Sequence, residues 1–121
     1  MFSPEKTWDR KTAVVCAEYH IFAAHLMREI GITAYPVEIL SPGLAHVVTV
    51  YRDPASGTWD VVDYNTHHAT AADSPEEAIG AYDPTYYKMV FLDDGGGTPA
   101  NRAVFYSPRA QAMRDFMRRP R

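Results

Sequence analysis

Three residue types that together make a thiol nucleophilic stand in order along residues 14–66: Cys16, His46 and Asp63. The thiolate is the nucleophile in cysteine chemistry, and a free cysteine with a pKa of about 8.5 is only a few per cent ionised at neutral pH. A neighbouring imidazolium lowers that value, as does the partial positive charge of a helix N-terminus. His46 would supply the imidazole and later return the proton to a departing amine, while Asp63 on its other ring nitrogen would fix tautomer and orientation. The chemistry expected of the trio is attack on a carboxamide or peptide carbonyl through a thioester.

These residues need a helix and a hairpin to position them. Thr12 is a suitable N-cap, and Val15, Tyr19, Phe22, Ala23, Leu26, Met27 and Ile30 recur at steps of three and four, which predicts a helix over 13–30 with that stripe buried. Gly31 is the expected residue just past its C-terminus. Such a start puts Cys16 within about one turn of the N-terminus, where its backbone N–H would face a developing oxyanion. The Trp8 indole is nominated as a second donor. Residues 33–40 read as an edge strand, or as a strand entered after the proline, because Pro36 interrupts them. AHVVTVY and TWDVVDYN read as strands of a hairpin around RDPASG. With a loop over 53–56, Arg52 faces Gly57 and His46 lies opposite Asp63; a one-residue bulge would send the two to different faces.

Further along, residues 67–73 read as loop. Ser74-Pro75-Glu76-Glu77 opens a short helix through about Ala81. YYKMVFL and ANRAVFYS read as two more strands joined by the flexible connector DDGGGTPA, which lacks the Lys-Ser/Thr of a phosphate loop. From Pro108 a terminal helix carries Ala112, Met113, Phe116 and Met117 on one side. The pattern is α+β: an N-terminal helix packed on an antiparallel sheet, with a C-terminal helix.

The 121 residues suit one domain, 1–121, and 46% hydrophobic with 22% charged residues is the balance of a soluble globular chain. A formal charge of −3 argues against nucleic acid as a partner, and the basic end MRDFMRRPR reads as a solvated helix terminus. With one cysteine there is no internal disulfide. No run of about 18 apolar residues and no cleavable export pattern occurs, so no membrane association is expected. His67-His68 with Asp73 lacks a third spaced ligand, and no metal is expected. The compartment and the oligomeric state stay open.

Two further residues border the expected site. His20 follows Cys16 by one helical turn, and either lines the same cleft or is a helix-face histidine with a satisfied hydrogen bond. Tyr82 is a core or rim aromatic that would border a substrate groove.

The order of a cysteine opening a helix that ends in a Gly-Ile-x-Ala turn, a histidine leading a strand, then a hairpin and Trp-x-x-x-Asp resembles the transglutaminase-like superfamily, relatives of papain-type thiol enzymes. The matching stretches are VVCAEYHIFAAHLMREIGITAYPVEIL and AHVVTVYRDPASGTWDVVDYNT, roughly residues 13–66. Val47 and Val48 stand where the family commonly has alanine and tryptophan, and Tyr64 where a proline often follows the aspartate. The resemblance implies a papain/transglutaminase-like core with Cys16, His46 and Asp63 as catalytic triad. It also implies acyl transfer or hydrolysis on a peptide bond or protein glutamine side chain, by a protease, deamidase or transglutaminase that needs no cofactor. Two alternatives accompany it: an effector or toxin domain that deamidates or crosslinks a target protein, and an interaction module that has kept the fold and lost turnover.

Overall fold

The computed structural model describes residues 4–92 and 103–118, with side chains from residue 17 onward. Residues 5–13, EKTWDRKTA, include good helix formers behind a proline suited to a first helical turn, and they extend the N-terminal helix upstream of Thr12. α1 therefore runs Pro4–Glu29, and the expected start at Thr12 is corrected: Cys16 lies about three turns inside the helix. The C-terminus follows expectation. Gly31 at φ 88° donates its N–H to Arg28 O at 3.0 Å and Ile32 donates to Met27 O at 2.9 Å, the pair of bonds that closes a helix through a left-handed residue.

Six strands and two more helices follow: β1 Ala34–Ser41, β2 Leu44–Arg52, β3 Trp59–Asp63, β4 Thr66–Ala72, α2 Pro75–Tyr82, β5 Lys88–Phe91, β6 Val104–Tyr106 and α3 Pro108–Met117. The strands form one antiparallel sheet in the order β4-β3-β2-β1-β5-β6. The architecture is α+β. β1 is an interior strand, which corrects the edge position expected from Pro36. The carbonyl of Pro36 accepts Leu92 N–H at 2.9 Å, so its missing N–H also points toward β5, one residue beyond the last β5 pair, Val37 with Phe91.

The hairpin register differs from the expected one by two residues. Arg52 faces Trp59, because the loop spans 53–58, with Asp53 N–H donating to Thr58 O at 2.8 Å and Gly57 at φ 75°. A two-residue shift preserves which face each side chain points to, so His46 and Asp63 stay on one face as diagonal neighbours. Residues 67–72, expected to be loop, form β4 together with Thr66. A two-residue turn, Tyr64-Asn65, joins it to β3, and Tyr64 sits at φ 53°.

The main core lies on the sheet face under α2. It comprises Tyr35, Val37, Ile39, Val48, Val50, Val61, Met89 and Phe91 from the strands with Ala78 and Ile79 from the helix. Ser74 caps α2 by accepting Glu77 N–H at 3.2 Å, and Pro75 occupies the first turn, as the sequence predicts. α1 covers the opposite face over β1 and β2, but with little of the predicted stripe, of which Ala23 and Met27 are half-buried. Ala24 and His20 are fully buried, whereas Tyr19, Phe22, Leu26 and Ile30 are exposed, Ile30 at 76%. An alanine at the contact lets the helix backbone lie close to the strands. On α3, Met113, Phe116 and Met117 are likewise exposed. The connector DDGGGTPA lies outside the described residues. Among the described residues no helix is long and apolar enough to cross a membrane.

Candidate functional site

Strand alternation on β2 directs His46, Val48 and Val50 to the α2 side and Thr49 to the α1 side. The last residue of β3, Asp63, stands at the end of the sheet, where it reaches groups from both sides. Its Oδ2 is 3.6 Å from His46 Nε2, and its Oδ1 is 3.9 Å from His20 Nε2. The His46 and Asp63 side chains are 23% and 27% exposed, open enough to meet a substrate and sheltered enough for their charges to matter.

Tyr82, the last residue of α2, places its hydroxyl between the two. It donates to Asp63 Oδ2 at 2.9 Å and lies 3.1 Å from His46 Nε2. Its ring meets those of His46 and His68 edge-on, at centroid distances of 5.9 Å and 4.8 Å. The structure thus brings together His46, Asp63 and Tyr82 of the expected site residues, with Tyr82 inside the polar network rather than only on its rim.

His20 is fully buried and makes a separate set of bonds. Its Nε2 accepts the backbone N–H of Tyr64 at 3.3 Å, so the proton of the neutral ring is on Nδ1, which donates to Thr49 Oγ1 at 2.7 Å. Burial lowers its pKa to about 4; the Asp63 charge acts in the opposite direction and the nearby His46 adds to the lowering. At neutral pH His20 is uncharged and fully bonded, the second of the two roles expected for it. It holds the strained turn after Asp63, where the Tyr64 ring also packs on those of Tyr19 and His20 at 4.7 Å and 5.3 Å.

Cys16 is one helical turn before His20, a rise of about 6 Å toward the Asp63 end of the sheet. Its side chain and that of Trp8 lie outside the described residues. The expectation that Cys16 opens its helix is overturned by the start of α1 at Pro4. The favourable field of a helix N-terminus fades within the first turn. A backbone N–H inside the helix is committed to the carbonyl four residues earlier, so the Cys16 amide is no oxyanion donor in this conformation.

Beside His46 a cleft of about 380 Å³ is lined by Ser41, Pro42, Leu44, Tyr82, Asp83 and Thr85. Asp83 is the residue of this cleft that the sequence reading missed, because a carboxylate before a proline reads as an ordinary turn signal. Partial burial pushes its carboxyl up. Hydrogen bonds from Thr85 and Ser41, aided by the nearby His46, outweigh that and hold it below the usual carboxylate range. A larger apolar hollow of about 920 Å³ against α3 shares Pro42 and Thr85 with the cleft. Among the described residues no group of three or more His, Cys, Asp or Glu side chains is placed to hold a metal ion.

The described groups can hold an imidazole in one orientation, take up or release a proton at it, and admit a small extended substrate alongside. Compared with known proteins, the chain matches no family model, no curated protein and no solved structure.

Proposed function

We propose that the chain is a thiol-dependent acyltransferase or hydrolase of the transglutaminase-like kind, with a papain-like Cys16, His46 and Asp63 triad, acting on a peptide bond or a protein glutamine carboxamide. The observation that carries this reading is the joining of His46 and Asp63, from neighbouring strands, by the Tyr82 hydroxyl at the end of the sheet that α1 approaches one turn beyond His20. β2 pairs with β3 from Thr49 onward, so among the described residues 44–48 extend past the last β2–β3 pair, and the route from α1 to His46 runs around the end of β3 past Asp63.

In this reading the Cys16 thiol gives its proton to His46 and the sulfur attacks the carbonyl carbon. The carbon–nitrogen bond breaks as His46 returns the proton to the leaving amine, and a thioester remains. Water or a second amine, deprotonated by the same imidazole, then releases the thiolate. Incubation with a glutamine-containing protein tests the substrate. Ammonia release without chain cleavage identifies a deamidase or transglutaminase, new peptide termini identify a protease, and neither product contradicts the reading.

One observation favours a second reading, an interaction module without turnover: Cys16 sits mid-helix, and the same helix presents Phe22, Leu26 and Ile30 to solvent.

A further inference from the structure

We infer that Tyr82 is the positioning residue through which Asp63 acts on His46. The inference deepens the triad reading above and rests on it for its catalytic meaning, while its structural content can be measured separately. The separation of 3.6 Å between His46 Nε2 and Asp63 Oδ2 is too long for a direct hydrogen bond. Both atoms are within bonding distance of the same phenol oxygen, at 3.1 Å and 2.9 Å.

A phenol has one proton to donate. An ionised carboxylate only accepts and is the stronger acceptor of the two, so that proton goes to Asp63. The phenol oxygen is then an acceptor toward His46, and the contact is a hydrogen bond when Nε2 carries the ring proton. The neutral imidazole is thereby fixed as the Nε2–H tautomer, with its lone pair on Nδ1, the nitrogen that would take the thiol proton. When Nδ1 is protonated, the positive charge on the ring is met by a phenol oxygen already polarised by the carboxylate.

The Tyr82 ring is held for this task. It packs edge-on against His46 and His68, and Ile79, one turn earlier on α2, is anchored in the core. The chain of contacts runs from carboxylate through phenol to imidazole, where a direct histidine–aspartate pair was expected.

The test is the tautomer of His46, read from imidazole nitrogen chemical shifts in ¹⁵N-histidine-labelled protein above the titration of the ring. The wild type is expected to show Nε2–H with a bare Nδ1. Tyr82→Phe, which keeps the ring and removes the hydroxyl, is expected to give a tautomer mixture and to slow Cys16 alkylation at pH 6 by about tenfold, the loss of one charge-assisted hydrogen bond. Asp63→Asn is expected to slow alkylation markedly in the wild type and little further in Tyr82→Phe, because both changes break the same chain. An Nδ1–H tautomer in the wild type overturns the inference, whether or not the variants fold. So do additive effects of Tyr82→Phe and Asp63→Asn. Ordinary thiol reactivity together with an Nε2–H tautomer would remove the enzymatic reading and leave the phenol link standing.

Discussion

His20 Nε2 accepts the backbone N–H of Tyr64 at 3.3 Å, tying the middle of α1 to the turn that follows Asp63. A protonated imidazole has no lone pair to offer, so this bond exists only while His20 is neutral. The position of Asp63 at the end of the sheet thus depends on a buried histidine.

That dependence has a pH signature. Above about pH 6.5 the imidazole is neutral in folded and unfolded chains alike, and its contribution is fully present. Between 6.5 and about 4 the unfolded chain takes up the proton and the folded one does not, so stability falls as pH falls; below about 4 the slope ends. The full difference is on the order of 3 kcal/mol. Urea denaturation at a series of pH values, compared with His20→Gln, isolates it: the variant is expected to lose this part of the pH dependence. Parallel curves for the two proteins would count against a buried neutral His20.

Thr49 supplies the acceptor for His20 Nδ1–H at 2.7 Å, and both residues are fully buried. Thr49→Val keeps the shape and strands that donor, with an expected cost of about 1–3 kcal/mol. Thr49→Ser retains the hydroxyl and is expected to cost less. Chemical denaturation of the pair at pH 7 gives the comparison, and a valine variant as stable as wild type would contradict the assigned tautomer.

Much of the frame was legible in the sequence because it depends on local chemistry. The α2 start at Ser74-Pro75 and the α1 stop at Gly31 were readable from single residues whose conformational preferences decide the matter. The same-face relation of His46 and Asp63 survived a hairpin register two residues from expectation, since a shift by two leaves alternation unchanged. The helix face did not survive. α1 has large apolar residues at 19, 22, 26 and 30, yet the sheet takes His20 and Ala24, because close approach at the alanine and two hydrogen bonds of the histidine decided the packing. β4 was missed because THHATAA has no hydrophobic alternation, and its turn has a tyrosine at positive φ where glycine is the usual signal. The position of Tyr82 between His46 and Asp63 joins residues 19 and 36 positions apart, a relation that no local pattern encodes.

α2 is short, and its hold on the sheet is concentrated in Ala78 and Ile79, both fully buried. Ile79→Ala is expected to cost about 2–5 kcal/mol by leaving a cavity between helix and strands. Tyr82 lies one turn further on, so the same change is expected to broaden the His46 ring resonances at temperatures where the protein is still folded. Thermal unfolding and histidine spectra on one sample check both effects; a destabilised protein with an unaltered His46 signal would show that Tyr82 is held independently of the helix.

The central claim concerns a sulfur that a neighbouring imidazole keeps reactive. Its most direct test is the rate of Cys16 alkylation by iodoacetamide as a function of pH, in the wild type and in His46→Ala. The account predicts rapid alkylation near pH 6 that His46→Ala slows by at least about tenfold. A wild-type rate that rises only near pH 8.5, as for a free thiol, and is indifferent to His46 would contradict it.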